Sequence, residues 1–318
     1  MSKALPSSSG YFRKKYADEF QLIETNIAKT SSVLFAIFLI SFPLYAPPFF
    51  IDLAAQVFLA SIGALALMLL TGIAGQISLG HAGLIAAGAF TAGILFKEYN
   101  LPFWVTIPAA AVMGALLGLI FGLPSLRLRG LYLAVSTLAL HFVVIYIGGE
   151  YETKRGFSTG ILVDPPKIFG WEVYATEAWY FVLLAAALVT LLICINLMRS
   201  RSGRAWRAIH SNETVAEALG VNIALYKLLV FVVSSSITAV AGALFAYYRG
   251  FVSIEAFSLY LTIQYVAMII IGGMGSLLGA LLGATFVILF PYMIEGILEM
   301  IPAVSYTHLR AHETFANR

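Results

Sequence analysis

The chain reads as an all-α polytopic membrane protein of about 8–10 transmembrane helices, with broken or re-entrant segments among them. Three observations predict this. Of its 318 residues, 60% are hydrophobic and 11% are charged, where soluble domains carry about 25% charged residues. Seven long stretches, 32–51, 53–96, 101–126, 130–149, 178–198, 228–248 and 256–294, contain no Asp, Glu, Lys or Arg. The basic residues fall between these stretches in alternate loops, as the cytoplasmic loops of membrane proteins require. Mean hydropathy is +0.91, more apolar surface than a soluble core can hide.

The first 31 residues hold Lys3, Arg13, Lys14, Lys15 and Lys29 and read as a cytoplasmic extension, partly amphipathic over 12–27. Some thirty polar residues ahead of the first apolar run do not suit a cleavable signal peptide. Residues 32–298 form the membrane domain. Counting the two longest runs as two crossings each gives nine spans. With the N-terminus inside, the turn holding Arg127 and Arg129 lies inside. So does the loop 199–227, with Arg199, Arg201, Arg204, Arg207 and Lys227. The loop 150–177 lies outside, and there Glu150, Glu152, Asp164, Glu172 and Glu177 outnumber Lys154, Arg155 and Lys167. The same count puts the C-terminus outside.

The stretch 53–96 organises the rest. It runs 44 residues without a carboxylate, lysine or arginine, and His81 is its one titratable group. At 1.5 Å per residue it crosses a bilayer about twice. Its centre is Thr71-Gly-Ile-Ala-Gly-Gln76-Ile-Ser78-Leu-Gly80-His81-Ala-Gly83. Polar groups at membrane depth need protein or a water-filled cavity around them. Gly72, Gly75, Gly80, Gly83 and Gly88 scatter over about half a helix circumference at 100° per residue. Two alternatives follow: a helix surrounded by neighbours, or a helix that unwinds near 75–80 and turns Gln76, Ser78 and His81 toward a pathway. His141, the other histidine within an apolar run, is expected to be structural.

Gly114, Gly118 and Gly122 recur every fourth residue, as do Gly275, Gly279 and Gly283. Each set predicts a ridge where a second helix backbone approaches closely. The local likeness of 113–118 to 274–279 fits either chance or an internal repeat. In the outer loop, Gly156–Gly160, the Pro165-Pro166 pair and Trp171 and Trp179 fit either a docking surface for an external partner or a plain connection. Cys194, the single cysteine, excludes an intrachain disulfide. The segment 299–318 reads as a polar tail of uncertain origin.

In the inner loop, Ser211 is placed as an N-cap, Glu213 at the positive end of a helix and Gly220 as its C′ residue. This predicts about two turns over 212–219, with Val215, Ala218 and Leu219 on one face. So short a helix needs a surface to rest on. That surface is either anionic lipid headgroups, met by the arginines, or a cytoplasmic partner. Enzyme signatures are missing: the chain has no G-x-x-x-x-G-K-[ST] phosphate loop, no metal-ligand spacing and no acid within a span for proton coupling. An energy source outside the chain is expected.

Several strings together carry a family resemblance. They are Gly75-Gln-Ile-Ser-Leu-Gly-His-Ala82, Leu126-Arg-Leu-Arg-Gly-Leu-Tyr-Leu-Ala134 and Arg201-Ser-Gly-Arg-Ala-Trp-Arg-Ala-Ile209. With them go Ala216-Glu-Ala-Leu-Gly220 and Ile271-Gly-Gly-Met-Gly-Ser276. The region from about 53 to 298 resembles permeases of high-affinity branched-chain amino-acid ABC transporters, LivM type. Gly156-Phe-Ser-Thr-Gly160 departs from the Thr-Gly-Gly pattern more usual there. The resemblance implies a multi-pass subunit of the bacterial inner membrane that imports branched-chain amino acids or related small polar solutes. Its implied partners are a second permease subunit, two cytoplasmic ATPase subunits, a periplasmic substrate-binding protein and membrane lipid, with no nucleic acid. ATP is bound by the partners, and the chain itself needs no cofactor or metal. Arg204, Glu213, Glu217, Ala218 and Gly220 would couple to the ATPases, and Gln76, Ser78, Gly80 and His81 would line the pathway. The alternatives are an autonomous channel or facilitator for solutes such as urea or amides, and a membrane enzyme working through His81 and His141.

Overall fold

The computed structural model describes residues 26–128, 130–156, 160–168, 171, 172 and 174–300. The expected extension before residue 26, Arg129 and the tail from 301 lie outside them. Contacts divide the chain into two compact units at Ile51. In the first, helix α1 (Asn26–Ser41) is followed by a 3-10 turn at Phe42–Leu44. Phe38, Phe42 and Tyr45 pack ring against ring there at 5.7–6.4 Å.

The second unit is helical. Helix α2 (Pro48–Leu67), which enters the second unit at Asp52, runs into a π-helical turn at Met68–Ile73, and α3 (His81–Tyr99), α4 (Phe103–Ser125) and α5 (Leu131–Arg155) follow. After the outer loop come α6 (Thr176–Arg199), α7 (Arg201–Ser211), α8 (Glu213–Ala218) and α9 (Ile223–Arg249). Helices α10 (Leu259–Gly272) and α11 (Leu277–Met300) complete it. Among the described residues nine longer helices occupy the nine expected places, two in each of the two longest charge-free runs. By length and composition six of the described segments can cross a membrane: Pro48–Ile73, α4, α5, α6, α9 and Leu277–Gly296. Helix α1 has 16 residues and α10 only 14, and α3 ends in Lys97, Glu98 and Tyr99, so these three fall short of that criterion.

The organising stretch lies at the centre. The Pro48–Ile73 segment is 83% buried, whereas α4, α6 and α11 are 28% buried, so the latter present the hydrocarbon faces. Leu65, Leu67, Met68 and Leu69 are wholly buried. The 114–118–122 ridge packs as its spacing predicts, and its partner is α9. A Cβ on Gly118 would stand 2.8 Å from the Phe231 carbonyl oxygen and 2.9 Å from Ser235. Gly279 and Gly283 likewise meet the backbone of α10 at Gly272 and Met268.

Long-range contacts fix which helix ends share a side. Strands β1 (Ile161–Leu162) and β4 (Phe251–Val252) pair antiparallel, and Val163 N donates to Gly250 O at 2.9 Å. Tyr151 donates to Glu98 at 2.7 Å, and Arg155 pairs with Glu98 at 3.3 Å. These bonds gather the ends of α3, α5 and α9. Strands β2 (Lys167–Ile168) and β3 (Trp171–Glu172) form a second two-residue ladder. At the opposite end, Gly275 N donates to Met68 Sδ at 3.2 Å, which joins the α10–α11 turn to the end of α2. The same ends meet in the parity count from the loop charges.

Candidate translocation and docking sites

The central helix breaks between Ile73 and His81. Its ladder first widens, with Ala74 N donating to Leu69 O at 3.2 Å and Gln76 N to Leu70 O at 3.0 Å. Gly75 then turns at φ +70°, and residues 76–80 continue without regular structure. Side chains alternate along this segment: Gln76, Ser78 and Gly80 are buried, while Ile77 is 45% exposed. One part of each sequence alternative is therefore met. The helix is interrupted, and its glycines each meet a different neighbour: Gly75 the ring of His210, Gly80 the Thr137 carbonyl, Gly83 His141 and Gly88 Ala239.

Hydrogen bonds satisfy the freed backbone. Thr71 Oγ1 donates to Gln76 O at 3.1 Å, Leu79 N donates to Thr137 Oγ1 at 2.9 Å and Ala82 N to Thr262 Oγ1 at 3.0 Å. The side chains fare differently. Gln76 is 4% exposed, and both of its amide atoms lack a hydrogen-bond partner among the described residues. His81 is 1% exposed with Nε2 in the same state, its ring edge-on to Tyr265 at 4.7 Å. Buried polar atoms without partners cost about 1–3 kcal/mol each. The expected exposure of Gln76, Ser78 and His81 to a pathway is not met: all three are buried, because α3 is enclosed by α4, α5, α9 and α10.

At the inner loop two helices stand where one was expected. Helix α7 buries Gly203, Trp206 and Ile209, and Trp206 Nε1 donates to Tyr226 O at 2.9 Å. Arg204 lies on its exposed side and donates to Arg199 O at 3.0 Å. Ser211 is not the N-cap; it is the last residue of α7. Asn212 takes that role, its Oδ1 accepting from Val215 N at 3.1 Å. Helix α8 then has six residues and ends before Gly220, whose φ is +84°. Its single buried residue is Ala216, while Val215 and Leu219 are 54% and 78% exposed. Glu217, Ala218 and Gly220 are exposed as well.

Two contacts anchor this helix pair. Lys227 Nζ and Glu213 Oε1 form an ion pair at 2.6 Å, with the lysine side chain 7% and the glutamate 25% exposed. His210, two residues before the α8 cap, donates from Nδ1 to Ile73 O at 3.0 Å. The predicted docking helix and the break in the central helix are therefore joined by one side chain, a link that sequence spacing does not reveal.

The family described as branched-chain amino acid transport system / permease component matches residues 49–309. The high-affinity branched-chain amino acid transport system permease protein LivM of Escherichia coli (strain K12) is 32% identical over 262 residues, 75% of this chain and 62% of that protein. The autoinducer 2 import system permease protein LsrC of Enterobacter sp. (strain 638) is 30% identical over 239 residues, 72% and 65% of the two chains. A probable branched-chain amino acid transport permease protein LivM of Methanocaldococcus jannaschii is 28% identical over 202 residues, 60% and 56% of the two. The chain spans about three fifths of the length of these curated relatives. No solved structure matches it. Apolar helices long enough to cross a bilayer and a family match over most of the chain lead to one conclusion: this is a multi-pass membrane protein that belongs to the branched-chain amino acid transport permease family.

Proposed function

We propose that the chain is the membrane-spanning permease subunit of an ABC importer for branched-chain amino acids or related small polar solutes. It lies in the bacterial inner membrane with a second permease subunit, two cytoplasmic ATPase subunits and a periplasmic substrate-binding protein. ATP is bound by the ATPases, and the solute crosses without covalent change. The import systems named for the relatives, branched-chain amino acid and autoinducer 2, support this class.

The observation that carries the reading is helix α8. Val215 and the C-cap residue Leu219 are exposed, while the helix is tied by Glu213 to Lys227 and follows α7 through Asn212 N, which donates to Ala208 O at 3.0 Å. A six-residue helix does not persist alone in water, and two exposed hydrophobes on an anchored helix suit a groove in a partner. In this reading Glu213, Glu217, Ala218, Gly220 and Arg204 couple the chain to the ATPases. ATPase closure then shifts α8, α7 carries the shift to Ile73, and the 74–80 segment moves. Gln76, Ser78 and His81 serve as brief hydrogen-bonding partners for the passing solute, since tight binding at mid-membrane would slow release.

Co-expression with candidate ATPase subunits and reconstitution into proteoliposomes tests this. ATP-dependent leucine uptake is expected, and it should be lost in Glu217→Pro and Gly220→Pro while the protein still folds. Proline at 220, with φ fixed near −65°, cannot keep the turn that follows α8 at φ +84°. Solute flux independent of any ATPase would show instead an autonomous channel.

A further inference from the structure

A cavity of about 390 Å³ opens between α2, α9, α10 and α11 at the end of the molecule opposite the α7–α8 pair. Its lining combines two kinds of surface. Arg249, Glu295, Gln56 and Gln264 supply one cation, one anion and two amides, and Leu59, Phe245 and Val287 supply hydrocarbon. Arg249 and Glu295 face the same space yet form no ion pair with each other among the described residues. Arg249 is held on its back by the Tyr248 ring at 5.5 Å and by Gln56 Oε1 at 3.4 Å. Tyr248 is itself fixed by donating to Asp52. The guanidinium is thus positioned, with donors left over. Tyr265 also lines the cavity, and its ring is the one against His81 at 4.7 Å.

We infer that this cavity is a receiving site for a free zwitterionic α-amino acid with an aliphatic side chain. Its carboxylate meets Arg249, its ammonium meets Glu295 and its side chain lies on Leu59, Phe245 and Val287. The size suits a small solute: ligand pockets run from about 300 to 1,000 Å³ and pair apolar walls with a few placed polar groups. Two unlike charges kept apart across one apolar space are complementary to a group that carries both. Arginine recognises a carboxylate by a planar pair of donors. Tyr265 separates this vestibule from His81 and the interrupted segment, which makes it the floor that a solute must pass. A phosphatidylethanolamine headgroup shares the same pair of charges, so lipid is the competing source. The inference rests on the import reading above and names where the solute first enters this chain.

The test uses the full complex in nanodiscs of phosphatidylglycerol alone, carrying Ala256→Cys in a Cys194→Ser background. Ala256 lines the cavity, and Cys194, the single native cysteine, is buried. L-leucine is expected to slow modification of position 256 by a small charged thiol reagent, with neither leucinamide nor 4-methylpentanoate matching it. Arg249→Gln should abolish the preference for leucine over leucinamide, and Glu295→Gln the preference over 4-methylpentanoate. Each preference is expected to be about 10-fold, the scale of one charge-assisted contact. A merely structural role would weaken all three ligands alike. Protection by phosphatidylethanolamine without leucine overturns the inference in favour of a lipid site. Unchanged labelling with leucine, in a complex that still takes up leucine with ATP, overturns it while leaving the import reading standing. Absence of any ATP-driven uptake is a failure of that reading itself and is seen in a separate assay.

Discussion

His210 Nδ1 donates to the carbonyl oxygen of Ile73 at 3.0 Å. The acceptor belongs to the last residue of the π-helical turn, and the donor stands at the end of α7, two residues before the cap of α8. A helix that stops at membrane depth leaves carbonyls without intrahelical partners, and His210 supplies one from an element 137 residues away. His210→Ala is expected to remove about 1 kcal/mol of stability and to break the mechanical link. In proteoliposomes, ATP hydrolysis should persist while uptake per ATP falls several-fold. His210→Asn, which keeps a donor near the Nδ1 position, should recover part of the ratio. Equal loss of hydrolysis and uptake would mean that His210 merely holds the fold.

Gly75 is constrained twice. Its φ of +70° is left-handed, and a Cβ there would stand 3.1 Å from two atoms of the His210 ring. Gly75→Ala should cost about 1–2 kcal/mol for the backbone alone, and more if the ring must shift. Thermal unfolding of the purified protein in detergent reads the loss. A matched Gly156→Ala, also at positive φ but with no atom of the described residues within 4 Å of the added carbon, should cost the backbone part only.

How far these features were legible depends on how local they are. The break at 74–80 was legible because Gln76, Ser78 and the glycines stand out in a run that is otherwise hydrocarbon. The 114–118–122 ridge was legible from its spacing, but not its partner, since nothing in α4 names Phe231 or Ser235. Helix α7 was missed because Arg201, Arg204 and Arg207 draw the eye as loop charge. Gly203, Trp206 and Ile209, three apart, were the signal of a buried face. Ser211 and Asn212 are both capping residues, and only the extended backbone of Asn212 (φ −162°, ψ 112°) decides between them. The His210–Ile73 bond and the outer cavity join residues far apart in sequence, and no pattern within one segment carries them.

The Lys227–Glu213 pair should respond unequally to loss of either partner. The lysine side chain is 7% exposed and the glutamate 25%. Glu213→Gln leaves an ammonium buried without its counter-charge, which costs up to about 3–5 kcal/mol. Lys227→Met leaves a glutamate that is less buried than the lysine and has a favourable place in the first turn of α8. Glu213→Gln is therefore expected to lower the unfolding midpoint more than Lys227→Met, and to reduce recovery with ATPase subunits in co-purification. The reverse order would show that the pair's energy lies in packing of the lysine stem.

The α4–α9 contact gives the sharpest test of the membrane packing. Gly118 admits the Phe231 carbonyl and the Ser235 side chain within 3 Å of where its Cβ would be, and Gly114 and Gly122 sit one turn away on either side against the same helix. Within a bilayer there is no hydrophobic drive between helices, so close backbone approach supplies much of the attraction. Gly118→Ala already sets its Cβ 2.8 Å from the Phe231 carbonyl oxygen, so the two helix backbones must part slightly, at about 1–3 kcal/mol. Gly118→Leu cannot be accommodated by a side chain alone, because the obstacle is the Phe231 backbone, and α4 must move outward. Size-exclusion profiles after stepwise heating should show the order wild type, Gly118→Ala, Gly118→Leu. Gly130→Ala is the control, where no atom of the described residues lies within 4 Å of the added carbon and only the φ of +57° is strained. If Gly118→Leu behaved like that control, the α4–α9 seam would not be the contact that holds the bundle closed.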